Sequence, residues 1–274
     1  MNERRLSMAE TLLARREQKI SVTALQIFYA ATLLLIVNPV ASSFPLTTDD
    51  TGTLIQGHSK IEMNSERSED QMNGAQEVTV SNELAFIHGL RDYLNAFVTV
   101  PYHNVNTQEA DGSSSNNRGF GDARIGLKWR YFEQGDFSLG FKGGITAPTG
   151  DTAKGLGNGQ ATYVINAIAS YETALLEYHF NLGYTWLPNT NNQRELIENI
   201  STAVAFKLSS SWKVMADIGV AGNKNNASNE VLAYVGAGLS YKLKQDLSLD
   251  MGVKYGLTNV ETDSAVLIGI NQIF

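Results

Sequence analysis

The sequence predicts an all-β protein: a single closed antiparallel transmembrane β-barrel of about twelve strands, preceded by an N-terminal signal peptide. Three observations carry that expectation. Period-two alternation of apolar and polar residues dominates the chain beyond residue 57. The connections between alternating segments switch between short turns and longer loops rich in Asn, Gly and Ser. The first 43 residues have the make-up of an export signal.

Composition removes several alternatives. The 274 residues are 43% hydrophobic and 18% charged, with a formal net charge of −7. That is too apolar for a disordered chain and lacks the basic footprint of a nucleic-acid binder. The chain has no Cys, which excludes disulfides, thiol nucleophiles and thiolate metal sites together. His58, His88, His103 and His179 show no metal-ligand spacing. No cofactor, no metal and no catalytic residue is expected, so the sequence does not read as an enzyme.

Residues 1–42 are expected to be the signal peptide. Arg4, Arg5, Arg15, Arg16 and Lys19 precede the apolar run Ile27 to Val37, which is followed by small residues up to Ser43. The run is shorter than the roughly 20 residues a spanning helix needs. Translation could begin at Met1 or Met8, and cleavage after Ser42 places Val40 and Ser42 at the small-residue positions. Removing residues 1–42 takes away five basic and three acidic groups and leaves a net charge of −9. Residues 43–56 then form a polar lead, expected on the periplasmic side, with a plug folded into the barrel mouth as the alternative. Residues 57–274 form the barrel.

The expected strands are 57–66, 76–87, 93–104, 119–132, 137–147, 160–171, 177–187, 196–208, 212–221, 230–243, 247–257 and 264–274. The segment from Leu247 to Leu257 alternates without a lapse, with Leu249, Met251 and Val253 on one face and Asp250, Gly252 and Lys254 on the other. Tyr178, Phe180, Leu182, Tyr184 and Trp186 oppose Glu177, His179, Asn181, Gly183 and Thr185 in the same way. The rule lapses at Met215, Leu232 and Tyr234. Short connections fall at 88–92, 133–136, 172–176, 209–211 and 244–246. Longer ones fall at 105–118, 148–159, 188–195 and 222–229.

Alternation alone also fits a soluble sandwich. Charge decides the direction of the faces, because a basic side chain at mid-depth in lipid costs about 2–4 kcal/mol, so the apolar face must be the outer one. Aromatic residues bracket that face. Tyr163 and Tyr171 stand eight residues apart, as do Tyr178 and Trp186. Eight tilted strand residues rise roughly 20 Å, close to the height of the apolar band of a membrane barrel. Tyr102, Trp212, Tyr241 and Tyr255 fit the same two girdles. Outer-membrane lipid of a Gram-negative cell is the environment this pattern implies.

The runs Gly119-Phe-Gly-Asp122, Arg124-Ile-Gly-Leu-Lys-Trp-Arg-Tyr131, Gly144-Ile-Thr-Ala-Pro-Thr-Gly-Asp151, Gly155-Leu-Gly-Asn-Gly159 and Asn181-Leu-Gly-Tyr184 resemble the phenol-degradation meta-pathway family of outer-membrane β-barrel transporters. The resemblance spans residues 119–186 closely and the remainder in pattern. It implies a porin-like channel for small solutes, including small aromatic or organic compounds. A structural or surface-interaction barrel working through its loops is the alternative, with an outer-membrane hydrolase built on His103 and Ser113 to Ser115 behind it. The final strand, with Val266, Ile268, Ile270 and the terminal Phe274 on one face, resembles the signal read by the barrel insertion machinery, although Gln272 departs from it.

The candidate lumen-lining residues are Glu83, Asp122, Arg124, Lys128, Arg130, Lys142, His179, Asp217, Asp250 and Lys254. Four of them, Asp122, Arg124, Lys128 and Arg130, share one face of the strand 119–132, and Glu62 and Glu177 add to the carboxylates available opposite. Such a set either forms a charged constriction whose transverse field selects solutes, or pairs across a narrow lumen as a polar core. The inner-face glycines Gly140, Gly144, Gly183, Gly219, Gly236, Gly238, Gly252 and Gly256 either widen a passage or relieve crowding where strands curve.

Overall fold

The computed structural model describes residues 44–72, 74–188, 194–225 and 228–274. The expected signal peptide lies outside the described residues. Among those residues there are thirteen strands: β1 (Ser59–Met72), β2 (Ala75–Arg91), β3 (Leu94–Gln108), β4 (Ser114–Phe120), β5 (Arg124–Gln134), β6 (Phe137–Thr146), β7 (Thr162–Glu172), β8 (Leu176–Trp186), β9 (Leu196–Lys207), β10 (Trp212–Ala221), β11 (Leu232–Lys242), β12 (Leu247–Gly256) and β13 (Ser264–Ile273).

Each strand pairs antiparallel with its neighbour, and β1 pairs with both β2 and β13, so the sheet closes on itself. At the seam Ser59 N–H donates to the Phe274 carbonyl at 2.8 Å and Phe274 N–H donates to Ser59 at 2.9 Å. Closure pairs both edges of every strand in the ring except β4, which pairs with β3 alone, and a paired ring is what a spanning sheet requires in lipid.

Thirteen strands make twelve staves, because β4 and β5 are two parts of one wall position. Both pair with β3: Tyr102 lies opposite Phe120 in β4, and Thr99 lies opposite Arg124 in β5. The sequence expectation of one strand over 119–132 is corrected here. The ladder breaks at Gly121 to Ala123, across from Pro101, which has no N–H to donate. Gly121 N–H still donates to the Pro101 carbonyl at 3.0 Å. The expected loop 105–118 also shrinks, because β3 and β4 carry pairing up to Gln108 and Ser114. Gly112 turns the remaining connection with φ +86, a left-handed value that favours glycine.

The two faces are sorted as the alternation predicted. Leu249, Phe180 and Val235 are 39%, 47% and 38% exposed on the outside. Register makes the girdle pairs into partners: Tyr163 stacks on Trp186 at 5.1 Å between ring centroids, and Tyr171 lies opposite Tyr178 at the short-turn end. Trp212 and Tyr241, 4.3 Å apart, extend that second girdle. The interior holds Glu62, Thr99, Arg124, Lys142, His179, Asn181, Asp217 and Asp250, all buried. A polar core inside an apolar shell is the inverse of a water-soluble globule, and it fits a transmembrane barrel.

Candidate functional site

Residues 44–57 are not a lead trailing from the barrel. They run inside it, as in the plug alternative. At the short-turn end, Gly57 N–H donates to the Gly89 carbonyl and Gln56 N–H donates to Asp92 Oδ1, both at 2.8 Å. Leu54 N–H reaches Asn95 Oδ1 at 3.0 Å, and Thr51 N–H reaches Ser170 Oγ at 3.1 Å. Deeper in, Asp49 exchanges two hydrogen bonds with Asn181: its N–H donates to Oδ1 and its carbonyl accepts from Nδ2, each at 2.8 Å. Thr47 and Thr48 N–H both donate to Asp217 Oδ2. A segment with no sheet partner thus has six of its backbone N–H groups, those of Thr47, Thr48, Asp49, Thr51, Leu54 and Gln56, taken up by side chains of the barrel.

Two of the three lapses in alternation, at Met215 and Tyr234, have a cause. Met215 joins Ala203, Ala205 and Leu46 in a small apolar cluster of the interior, so it faces inward to cover the plug. Tyr234, 7% exposed, also faces inward and donates its hydroxyl to Asp217 Oδ2 at 3.3 Å. The inner glycines make room for close neighbours rather than leaving open space. A Cβ at Gly238 would lie 2.5 Å from Pro45 Cγ, one at Gly252 2.9 Å from Pro45 Cβ, and one at Gly269 2.6 Å from the Phe44 ring. Gly183, Gly219 and Gly236 leave room in the same way for Asn166, Tyr234 and Asp217.

The candidate residues fall into separate groups. Lys128 and Lys142 are register partners on β5 and β6 and share the Asp49 carboxylate, Oδ1 at 2.9 Å from Lys128 Nζ and Oδ2 at 2.6 Å from Lys142 Nζ. Asp50 adds a second contact to Lys128 at 2.9 Å. His179 Nδ1 lies 2.9 Å from Ser170 Oγ, and its other nitrogen lies 3.8 Å from Glu177, which also meets Lys207 and Lys213. Lys254 meets Glu261 at 3.3 Å, and Asp250 accepts from Asn271. Glu83 lines a small cavity with Glu66, Asp217 and Lys254. Arg124 is buried on the inner face beside β3. Arg130 does not join the others. It keeps the phase of Arg124 and Lys128, opposite Gly140, but lies at the short-turn rim just before a bulge, bonded to the Asp92 carbonyl at 3.1 Å and Glu133 at 3.4 Å.

Asp122 has a different task from the one expected of a lumen charge. From the break between β4 and β5, its two oxygens accept Gly150 N–H at 2.8 Å and Asn158 N–H at 2.7 Å, so it clasps the β6–β7 connection. Leu156 of that connection is fully buried. Lys224, from the β10–β11 connection, is buried near Asp122; burial pulls its ammonium down to about 8, and the Asp122 charge opposes that shift. His103 bonds Ser81 Oγ through Nδ1 at 2.9 Å and lies opposite Gly119, so it does not meet Ser113 to Ser115 as the hydrolase alternative required. Among the described residues, no three His, Asp or Glu side chains are grouped to hold a metal.

Sequence reasoning missed Asp49, Asn95, Ser170, Asn181 and Tyr234. Each is polar and inward, but its role depends on a plug that has no periodicity of its own. Two cavities border that plug. One of about 220 Å³ is lined by Leu54, Ala85, Ile87, Phe97, Thr99, Lys60, Lys128 and Lys142 among others; the second, about 90 Å³, lies beside Phe44 to Thr47.

A closed barrel with a lipid-facing shell and a charged lumen filled by its own chain defines a plugged transmembrane β-barrel. The chain belongs to the family described as MetA-pathway of phenol degradation, whose profile matches residues 46–272. Among curated proteins, none matches the sequence. Solved structures share the fold. An outer membrane channel from Pseudomonas putida F1 superposes with a TM-score of 0.72 at 13% identity, covering 86% of this chain and 100% of that one. The NanC and KdgM porins each give a TM-score of 0.54, at 10% and 9% identity, covering 78% of this chain and 98% of theirs.

Proposed function

We propose that this protein is a Gram-negative outer-membrane channel for small solutes, held closed in the present conformation by residues 44–56. The observation that carries the reading is the berth itself. The barrel interior is lined mostly by polar side chains, and what fills it is a segment hydrogen-bonded to those side chains rather than woven into the sheet. Such contacts can be exchanged for contacts to solute or water without unfolding any strand. The family description names phenol degradation, and similar folds belong to a channel and two porins, which agrees with passage of small organic compounds. The reading assigns no catalysis. It also assigns Phe274, which closes the seam, to recognition by the barrel insertion machinery.

Planar-bilayer recording of the purified protein tests the channel. Ion steps above background are expected, with larger or more frequent steps when residues 44–53 are deleted. An absence of steps in both forms would defeat the reading.

A further inference from the structure

We propose that Lys128 and Lys142, with the cavity beside them, form a binding site for a small organic carboxylate carrying one compact apolar ring, and that Asp49 is the chain's own occupant of that site. The inference rests on the channel reading, and it names a ligand class and the event that frees the lumen.

Electrostatics carries the first step. The two lysines are directly opposite each other in the β5–β6 register, and like charges so placed repel. Lys142 is 5% exposed, so water screens the pair poorly. The pair persists because one carboxylate bridges it, a separate oxygen to each ammonium at 2.9 and 2.6 Å. If the plug withdraws, Asp49 and Asp50 leave together, and the wall carboxylate that remains on this cavity, Glu62, is paired with Lys60, so the two opposed lysines favour a new anion.

The shape of the surroundings carries the second step. The cavity of about 220 Å³ opens beside the bridged carboxylate and has an apolar side built from Ala85, Ile87 and Phe97. An apolar cavity of about 150 Å³ holds benzene, so this one accommodates a single ring and its carboxylate. Lys142 already lies over the Phe97 ring, 5.3 Å from its centroid. Thr99, 1% exposed, lines the same cavity, and its hydroxyl has no protein hydrogen-bond partner. A buried hydroxyl left without a partner is costly, and a polar substituent on a bound ring would satisfy it.

A ligand carboxylate between the lysines excludes that of Asp49, so binding and plug release are one competition. The test uses the full chain in planar bilayers and in calorimetry, with sodium benzoate as probe, benzamide as the uncharged ring and acetate as the charge without a ring. Benzoate is expected to bind and to raise channel opening, with benzamide and acetate at least about tenfold weaker, and Asp49→Asn is expected to gain about tenfold in benzoate affinity because a tethered competitor is weakened. Lys142→Met and Lys128→Met should each lose the preference for benzoate over benzamide. Equal binding of benzoate and benzamide to the unaltered protein overturns the proposal without any variant having to fold. So does an undiminished preference in Lys142→Met. Current in Asp49→Asn without any benzoate effect sinks the carboxylate site and leaves the channel standing. Lysine-dependent benzoate binding with no current in any form sinks the channel and leaves the site.

Discussion

A single carboxylate oxygen, Oδ2 of Asp217, accepts the backbone N–H of Thr48 at 3.0 Å and that of Thr47 at 2.8 Å. The Thr48 hydroxyl and the Tyr234 hydroxyl donate to the same oxygen. Hydrogen bonds to a charged acceptor contribute about 1.5–3 kcal/mol each. Asp217→Ala is therefore expected to loosen the upper part of the plug and raise the open fraction about tenfold or more in bilayer recordings. An unchanged open fraction would show that the plug is held elsewhere.

Steric fit makes an independent prediction. Gly238 lies so close to Pro45 that even one added carbon meets it at 2.5 Å. Gly238→Val should expel Pro45 while β11 stays paired, because only the inner face gains volume. Steady current together with an unchanged thermal transition of the barrel is the expected result; a closed, fully stable variant would refute the fit.

The outer face makes the complementary prediction. Phe180, 47% exposed near the middle of β8, faces hydrocarbon. Phe180→Arg should cost about 2–4 kcal/mol of stability in lipid vesicles. Folding titrations in vesicles give the value, and no loss would mean that this face does not meet lipid.

The two arginines of β5 separate by position. Arg124 lies on the inner face, whereas Arg130 is tied to the rim. Arg124→Ala should shift ion selectivity toward cations, and Arg130→Ala should leave it within error. Reversal potentials under a salt gradient distinguish them.

The long-loop end should respond to alkali. Lys224 titrates near 8 when its loop is docked, against an ordinary 10.5. The docked state thus binds fewer protons between those values, so docking strengthens as pH rises through the window, by at most about tenfold per unit. Because the chain has no Cys, a single spin label at position 228 reports the loop. Its mobility should fall from about pH 7.5 to 9.5, and Lys224→Met should abolish the response.

The barrel was legible because lipid and a closed polar interior impose the same period on every strand. β8 and β12 needed no context to be placed, and the outward set Phe180, Val235 and Leu249 is found where alternation put it. What escaped was specified by partners rather than by period. Met215 and Tyr234 look like errors in a pattern until Leu46 and Thr48 are placed against them. The break at Gly121 depends on Pro101, twenty residues earlier, and the bulge after Arg130 shifts the phase of the last residues of β5 without any mark in its composition. The plug itself, residues 44–56, has the polar, aperiodic character of any linker, and only the side chains that receive it show that it is not one.

The plug enters the barrel and joins β1 at the same rim, where Gly57 is bonded to Gly89. Residues 44–56 are therefore tethered to the ring at one rim and joined to the wall above it by side chains alone. Their retreat toward that rim unzips no stave, so filling and emptying are strokes of one hinged piece.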